Sequence, residues 1–274
     1  MSPADRSRGT GSRDVSPLRI DREGSGAPLV LVHSLLTDAR AFDQVAPRLS
    51  ESFELHRVWL PGFGDSEALA NPSPTLFDIA GALRQSLQET GVTGDEVAVL
   101  GNGFGSFVCV ALAAAHGDLF GPLIVANGGA SFSTERRAAF TTMSDLVSDS
   151  GMEAVVEVAV RRIFTSEYLE AHPEAIAERR DVLLEIDPGS FAASCRALRD
   201  MDLRPHVGAI GNPTLVIAGG ADTTTPPEMG TELAAGLPNA EFVVLENCGH
   251  CPPLESPTAF CEAVEDFLAR KLNA

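Results

Sequence analysis

The sequence predicts an α/β fold: a mostly parallel central sheet, helices on both faces and a helical insertion in its second half. Three observations carry this. Short apolar runs without strict alternation recur along the chain, helical stretches separate them, and one long segment holds several helices with no convincing strand.

The runs that read as buried parallel strands are PLVLVHS (28–34), ELHRVWL (54–60), EVAVLG (96–101), LIVANGG (123–129), PTLVIAGG (213–220) and EFVVLE (241–246). A helix is expected from Thr75 to Glu89, where Leu76, Ile79, Leu83 and Leu87 fall on one stripe. Others run from Phe104 to about His116, from Glu228 to Leu237 and from Pro257 to the end. The helical segment between two strands of a parallel sheet is placed to cover the carboxyl edge, where such sheets bind ligands. The expected organisation is therefore a disordered tail over residues 1–17, a core over 18–131 and 206–274, and a helical cap over 132–205.

Composition narrows the function classes. With 274 residues and 44% hydrophobic side chains, the chain suits one large α/β domain. A formal charge of −18 argues against nucleic acid, because phosphate binding needs a basic surface. No apolar run approaches the roughly 20 residues of a membrane-spanning helix, and the first residues lack a secretory signal's apolar stretch. A cytoplasmic protein with no membrane partner is expected. Its five cysteines, an odd number, are expected as reduced thiols.

Three segments at strand ends carry chemistry. Leu100-Gly101-Asn102-Gly103-Phe104-Gly105-Ser106 follows a strand and opens a helix. Glycines around a central residue permit a strained strand-to-helix turn that lifts that residue above the sheet, beside the free N–H groups of the helix start. This is the nucleophile-elbow pattern with Gly103 at its centre. G-x-G-x-G is not the dinucleotide spacing, and it stands too late in the chain for that reading. Asp222 follows PTLVIAGG, and His250 follows EFVVLE. An acid and then a histidine at late strand ends give the chain order nucleophile, acid, base. The carboxylate holds the imidazole in one tautomer and stabilises its cation. Cys248-Gly249-His250-Cys251 spells a C-x-x-C, but it runs into Pro252-Pro253 instead of opening a long helix, so redox chemistry is set aside. No second ligand pair stands at metal spacing. Neither metal nor cofactor is expected.

Residues from about 28 to 270 resemble the α/β-hydrolase superfamily, and most the 3-oxoadipate enol-lactonase group. The likeness lies in His33-Ser34-Leu35-Leu36-Thr37-Asp38-Ala39-Arg40, Pro61-Gly62-Phe63-Gly64-Asp65-Ser66, Asp187-Pro188 with Arg196-Ala197-Leu198-Arg199-Asp200, Asp222 with Thr225-Pro226-Pro227, and the loop around His250. The resemblance implies that Asp222 is the triad acid, His250 the base, and the N–H groups of Leu35 and Phe104 the oxyanion hole. It also implies that Arg161, Arg162 or Arg196 meets a substrate carboxylate. Family members carry Ser, sometimes Asp or Cys, where Gly103 stands.

Glycine cannot form an acyl-enzyme. Ser34, Ser106 and Cys109 are the nearest substitutes, and all three are set aside because the elbow aims only residue 103 at the site. Ser34 and Asn102 are kept as candidate substrate contacts. The expectation is a cofactor-independent enzyme acting on a small organic molecule through a His250–Asp222 dyad without a serine nucleophile. It would hydrolyse an activated ester, enol-lactone or carbamate, or perform a proton-transfer lyase, isomerase or cyclase step. The alternative is an inactive pseudo-hydrolase that binds a small ligand under the cap. A homo-oligomer stays open.

Overall fold

In a computed structural model of the chain, residues 18–272 are described; the tail expected over 1–17 lies outside them. Seven strands form one sheet, β1 (Ile20–Gly24), β2 (Ala27–Val32), β3 (Phe53–Val58), β4 (Ala98–Asn102), β5 (Leu123–Ala126), β6 (Thr214–Gly219) and β7 (Ala240–Leu245), in the order β1-β3-β2-β4-β5-β6-β7. All neighbours are parallel except β1, which pairs antiparallel with β3, Ile20 opposite Val58. Sequence reasoning passed over β1. Its residues IDREG are half-buried and charged, as suits an edge strand, and they leave no apolar run to find.

The helices are α1 (Ala46–Leu49), α2 (Leu76–Glu89), α3 (Phe104–His116), α4 (Thr134–Ser150), α5 (Val156–Ile163), α6 (Ser166–Ala171), α7 (Glu174–Leu184), α8 (Pro188–Asp200), α9 (Arg204–Val207), α10 (Pro227–Gly236), α11 (Pro252–Glu255) and α12 (Pro257–Leu272). α2 starts at a reciprocal cap in which the Thr75 hydroxyl accepts from the Asp78 N–H and the Asp78 carboxylate from the Thr75 N–H. Side chains alternate across the sheet. Val30 and Val32 pack with α2 and α3 on one face, and Leu29 and Leu31 pack toward Phe260, Val264 and Phe267 of α12 on the other. Both faces are covered, which is why the inner strands read as unbroken apolar runs.

Helices α4 to α8 all lie between β5 and β6. A Ser131–Asp202 bridge and a bond from the Leu203 N–H to the Ala130 carbonyl (2.8 Å) close the neck of this insertion. Asp187 caps α8 by accepting from Ser190 N at 2.7 Å, and its own N–H donates to Gly62 O at 3.1 Å. The Asp187-Pro188 and Pro61-Gly62 segments therefore join the insertion to the core. Asp65 and Ser66 fix the same turn, through a 3.0 Å ion pair with Arg19 and a 2.7 Å bond to Trp59 O. Because the inner strands are parallel, the residues after β2, β4, β5, β6 and β7 meet at one edge. Those residues include Ser34, Gly103, Asn127, Asp222 and His250.

Candidate active site

His250 and Asp222 arrive at that edge from neighbouring strands and face each other. His250 Nδ1 lies 2.8 Å from Asp222 Oδ2. Both are buried, at 5% and 4% exposure. The carboxylate accepts further bonds from Asn127 Nδ2 and the Thr225 hydroxyl (both 2.6 Å to Oδ2), and from the N–H groups of Thr224 and Thr225 (2.7 and 3.1 Å to Oδ1). Burial works against its ionisation. The His250 ring and these donors outweigh burial and hold the carboxyl below its ordinary value of 3.8. An ionised Asp222 places the imidazole proton on Nδ1, which leaves Nε2 with a free lone pair.

Nε2 faces the turn between β4 and α3. Gly103 occupies that turn at φ 52 and ψ −118, a conformation that costs an ordinary residue about 1–3 kcal/mol. A β-carbon at residue 103 would stand 2.9 Å from His250 Nε2 and 2.2 Å from Ser34 Oγ. Gly105 lets α3 approach the sheet, since a β-carbon there would come within 2.2 Å of Val32 O. Among the described residues, no protein group accepts from the Leu35 or Phe104 N–H. Leu35, Phe104, Gly103, Ser34 and His250 line one cavity of about 30 Å³, closed by Phe140, Met143 and Leu198 of the insertion. It adjoins a second space of about 100 Å³ lined by Arg136, Arg162 and Thr223. Larger cavities, of about 270 and 360 Å³, lie against α8 and residues 61–77, away from His250.

The chain matches the model of the alpha/beta hydrolase family over residues 29–263. It belongs to that family. It is 30% identical over 233 residues to a 2-hydroxy-6-oxononadienedioate/2-hydroxy-6-oxononatrienedioate hydrolase of Cupriavidus pinatubonensis, spanning 82% of this chain and 79% of the relative. The enol-lactonase from Burkholderia xenovorans LB400 superposes with a TM-score of 0.85 at 30% identity, over 92% of this chain and 96% of that one. A thermophilic esterase from Thermogutta terrifontis superposes with a TM-score of 0.85 at 26% identity, over 92% and 93%.

Within this alpha/beta hydrolase, the residues weighed from sequence separate. Ser106 Oγ donates to Gly103 O at 2.6 Å, beneath the turn. Cys109 is fully buried, and burial raises its thiol far above the ordinary value. Ser34 alone of the three reaches the cavity. Asn102, expected as a substrate contact, does not line the cavity. Its Nδ2 donates to His250 O at 3.2 Å and its Oδ1 accepts from the Cys251 thiol at 3.2 Å, so it holds the histidine's backbone. All five cysteines are free and buried.

Sequence reasoning missed three positioning residues. Asn127, at φ 51, bonds Asp222 and also Gly249 O at 3.0 Å. Thr225 braces the same carboxylate. Glu255 accepts from Gly249 N at 2.7 Å and Thr165 N at 3.0 Å, stapling the His250 loop to the insertion. The Asn-Gly-Gly run just after β5 was a turn signal that could have marked Asn127.

His33 has a structural part. Its Nδ1 donates to Ser34 O at 2.8 Å, and its Nε2 accepts from Leu60 N at 3.1 Å. Complete burial lowers its pKa from 6.5 to about 4. The unfolded chain therefore takes up this proton first. Stability from His33 is complete above pH 6.5 and is lost as pH falls toward 4, by about 3 kcal/mol in all. Urea unfolding across that window is expected to show a shallower pH dependence in His33→Gln than in the natural chain. Equal slopes would mean that His33 does not stay neutral in the fold.

Proposed function

We propose that this chain is a cofactor-independent hydrolase of small esters or enol-lactones, with His250 and Asp222 as its proton-moving dyad and no nucleophile on its elbow. The single observation behind this is the lone pair of His250 Nε2, 2.9 Å from the point above Gly103, with an ionised carboxylate bonded to the far side of the ring. His250 takes a proton from an attacking hydroxyl, the Leu35 and Phe104 N–H groups receive the charge on the carbonyl oxygen, and His250 returns the proton to the leaving oxygen. The resemblance to an enol-lactonase and an esterase supports this choice of bond. The insertion acts as a cap. An acyl group enters only if Phe140, Met143 or Leu198 gives way, because about 30 Å³ holds a water and little more. The test is turnover of a panel of activated esters and enol-lactones with product analysis. Accumulation of acid and alcohol is expected, and isomerised substrate would instead indicate proton transfer alone.

A carboxylate on the substrate suits the entrance. Arg162 lines both the dyad cavity and the adjoining space. Its guanidinium makes no ion pair among the described residues. Burial holds its pKa below the ordinary value, and neighbouring Arg136 adds to the effect. A half-buried cation without a counter-charge, in a chain of net charge −18, gains most from an anion brought by the ligand. Arg162→Gln is expected to raise KM about 10- to 100-fold for a carboxylate-bearing ester. KM for a neutral ester of similar size should change little. An equal change for both would rule out this role.

A further inference from the structure

We infer that the Ser34 hydroxyl is the nucleophile of this site, brought from the loop after β2 to the place that residue 103 leaves empty. This rests on the hydrolase reading above, and it names the hydroxyl that His250 deprotonates.

Two loops meet at one point. The position of an absent β-carbon on Gly103 lies 2.2 Å from Ser34 Oγ and 2.9 Å from His250 Nε2. A β-carbon at 103 and the Ser34 hydroxyl in its present orientation therefore compete for one place, and the structure holds the second. Ser34 is 2% exposed, yet among the described residues its hydroxyl bonds to no protein group. It lines the same cavity as His250 Nε2, whose lone pair is also unengaged. Its backbone is pinned on both sides, with the N–H donating to Thr37 Oγ1 at 3.2 Å and the carbonyl accepting from His33 Nδ1 at 2.8 Å. Among the described residues the next N–H along, that of Leu35, is free, and so is the Phe104 N–H at the start of α3. A hydroxyl, a base and two donors surround one small cavity, the set that acyl transfer requires.

The chemistry balances. Ser34 Oγ bonds to the ester carbonyl carbon while its proton passes to His250 Nε2. The carbonyl π pair moves onto oxygen, facing the Leu35 and Phe104 N–H groups. When that pair returns, the bond to the leaving oxygen breaks, and the leaving oxygen takes the proton from His250. Water then gives a proton to His250 and attacks the acyl carbon. The Ser34 oxygen leaves and regains a proton, so ester and water become acid and alcohol.

The test uses the intact protein and a fluorophosphonate, with the adduct mapped by peptide mass spectrometry. A stoichiometric adduct on Ser34 is expected, formed far more slowly in His250→Ala and absent in Ser34→Ala. Ser34→Ala should lose about 10³-fold or more in kcat at an unchanged Tm. The double change Ser34→Gly with Gly103→Ser returns a hydroxyl to the elbow without the 2.2 Å conflict, and it should exceed Ser34→Ala by at least about tenfold. Natural protein that turns over esters with Ser34 unlabelled, and Ser34→Ala within about tenfold of its rate, would overturn the proposal in favour of direct attack by water. An unlabelled protein that turns over no ester would overturn the hydrolase reading, and this proposal with it.

Discussion

Replacing His250 with alanine is expected to lower kcat/KM for ester hydrolysis by about 10³- to 10⁴-fold, with the fold retained. Among the described residues, His250 Nε2 is the one unengaged base aimed at the point above Gly103, and both proton transfers of the proposed chemistry pass through it. The other ring histidine near the edge, His33, cannot take over. Its two nitrogens are bonded to Ser34 O and Leu60 N, and burial keeps it neutral down to about 4. Residual turnover from the Leu35 and Phe104 donors should survive at about 10²- to 10³-fold over the uncatalysed reaction. The readout is kcat/KM on one activated ester, with Tm as the control. A His250→Ala protein that keeps more than about a tenth of the natural rate would remove the dyad from the mechanism.

Changing Asp222 should damage both rate and stability. The carboxylate accepts from His250 Nδ1, Asn127 Nδ2, the Thr225 hydroxyl and two backbone N–H groups. An amide of the same shape offers one oxygen and turns two hydrogens toward these donors. Asp222→Asn therefore loses the tautomer that frees Nε2, and kcat should fall about 10⁴-fold, as in the serine-protease case of the same exchange. Leaving these buried donors short of an acceptor also costs about 1–3 kcal/mol in urea unfolding at neutral pH. The sign of the pH dependence follows from the depressed carboxyl. Its contribution is present above the ordinary value of 3.8 and is lost as pH falls through the lower folded value. The gap between natural and Asp222→Asn stability should thus narrow only in strong acid. A gap that closed near pH 6 would place the effect on another group.

Much of the fold was legible because the inner strands are buried on both faces and separated by amphipathic helices, which gives a period a sequence can show. β1 was not, since its exposed edge carries charged residues. The meeting of Asp222 and His250 was legible through local order: a strand, a glycine-rich turn, a titratable residue. What escaped were relations between distant loops. That Ser34, 69 residues before Gly103, fills the space above it depends on how β2 and β4 pair, Val32 beside Gly101. Asn102 looked free beside the turn because no sequence signal ties it to His250 O. The bonds of Asn127 to Asp222 and of Glu255 to Gly249 likewise join separate loops at the carboxyl edge. Such contacts depend on three-dimensional register rather than on any local pattern.

The proposed chemistry and a pocket that only binds differ in one measurable respect. Thermal stability and product formation, followed together on the natural protein with a carboxylate-bearing enol-lactone or aryl ester, separate them. The dyad above Gly103 predicts catalytic release of acid that requires His250. A ligand that raises Tm in a saturable way while remaining intact would contradict it and leave a hydrolase fold used for binding.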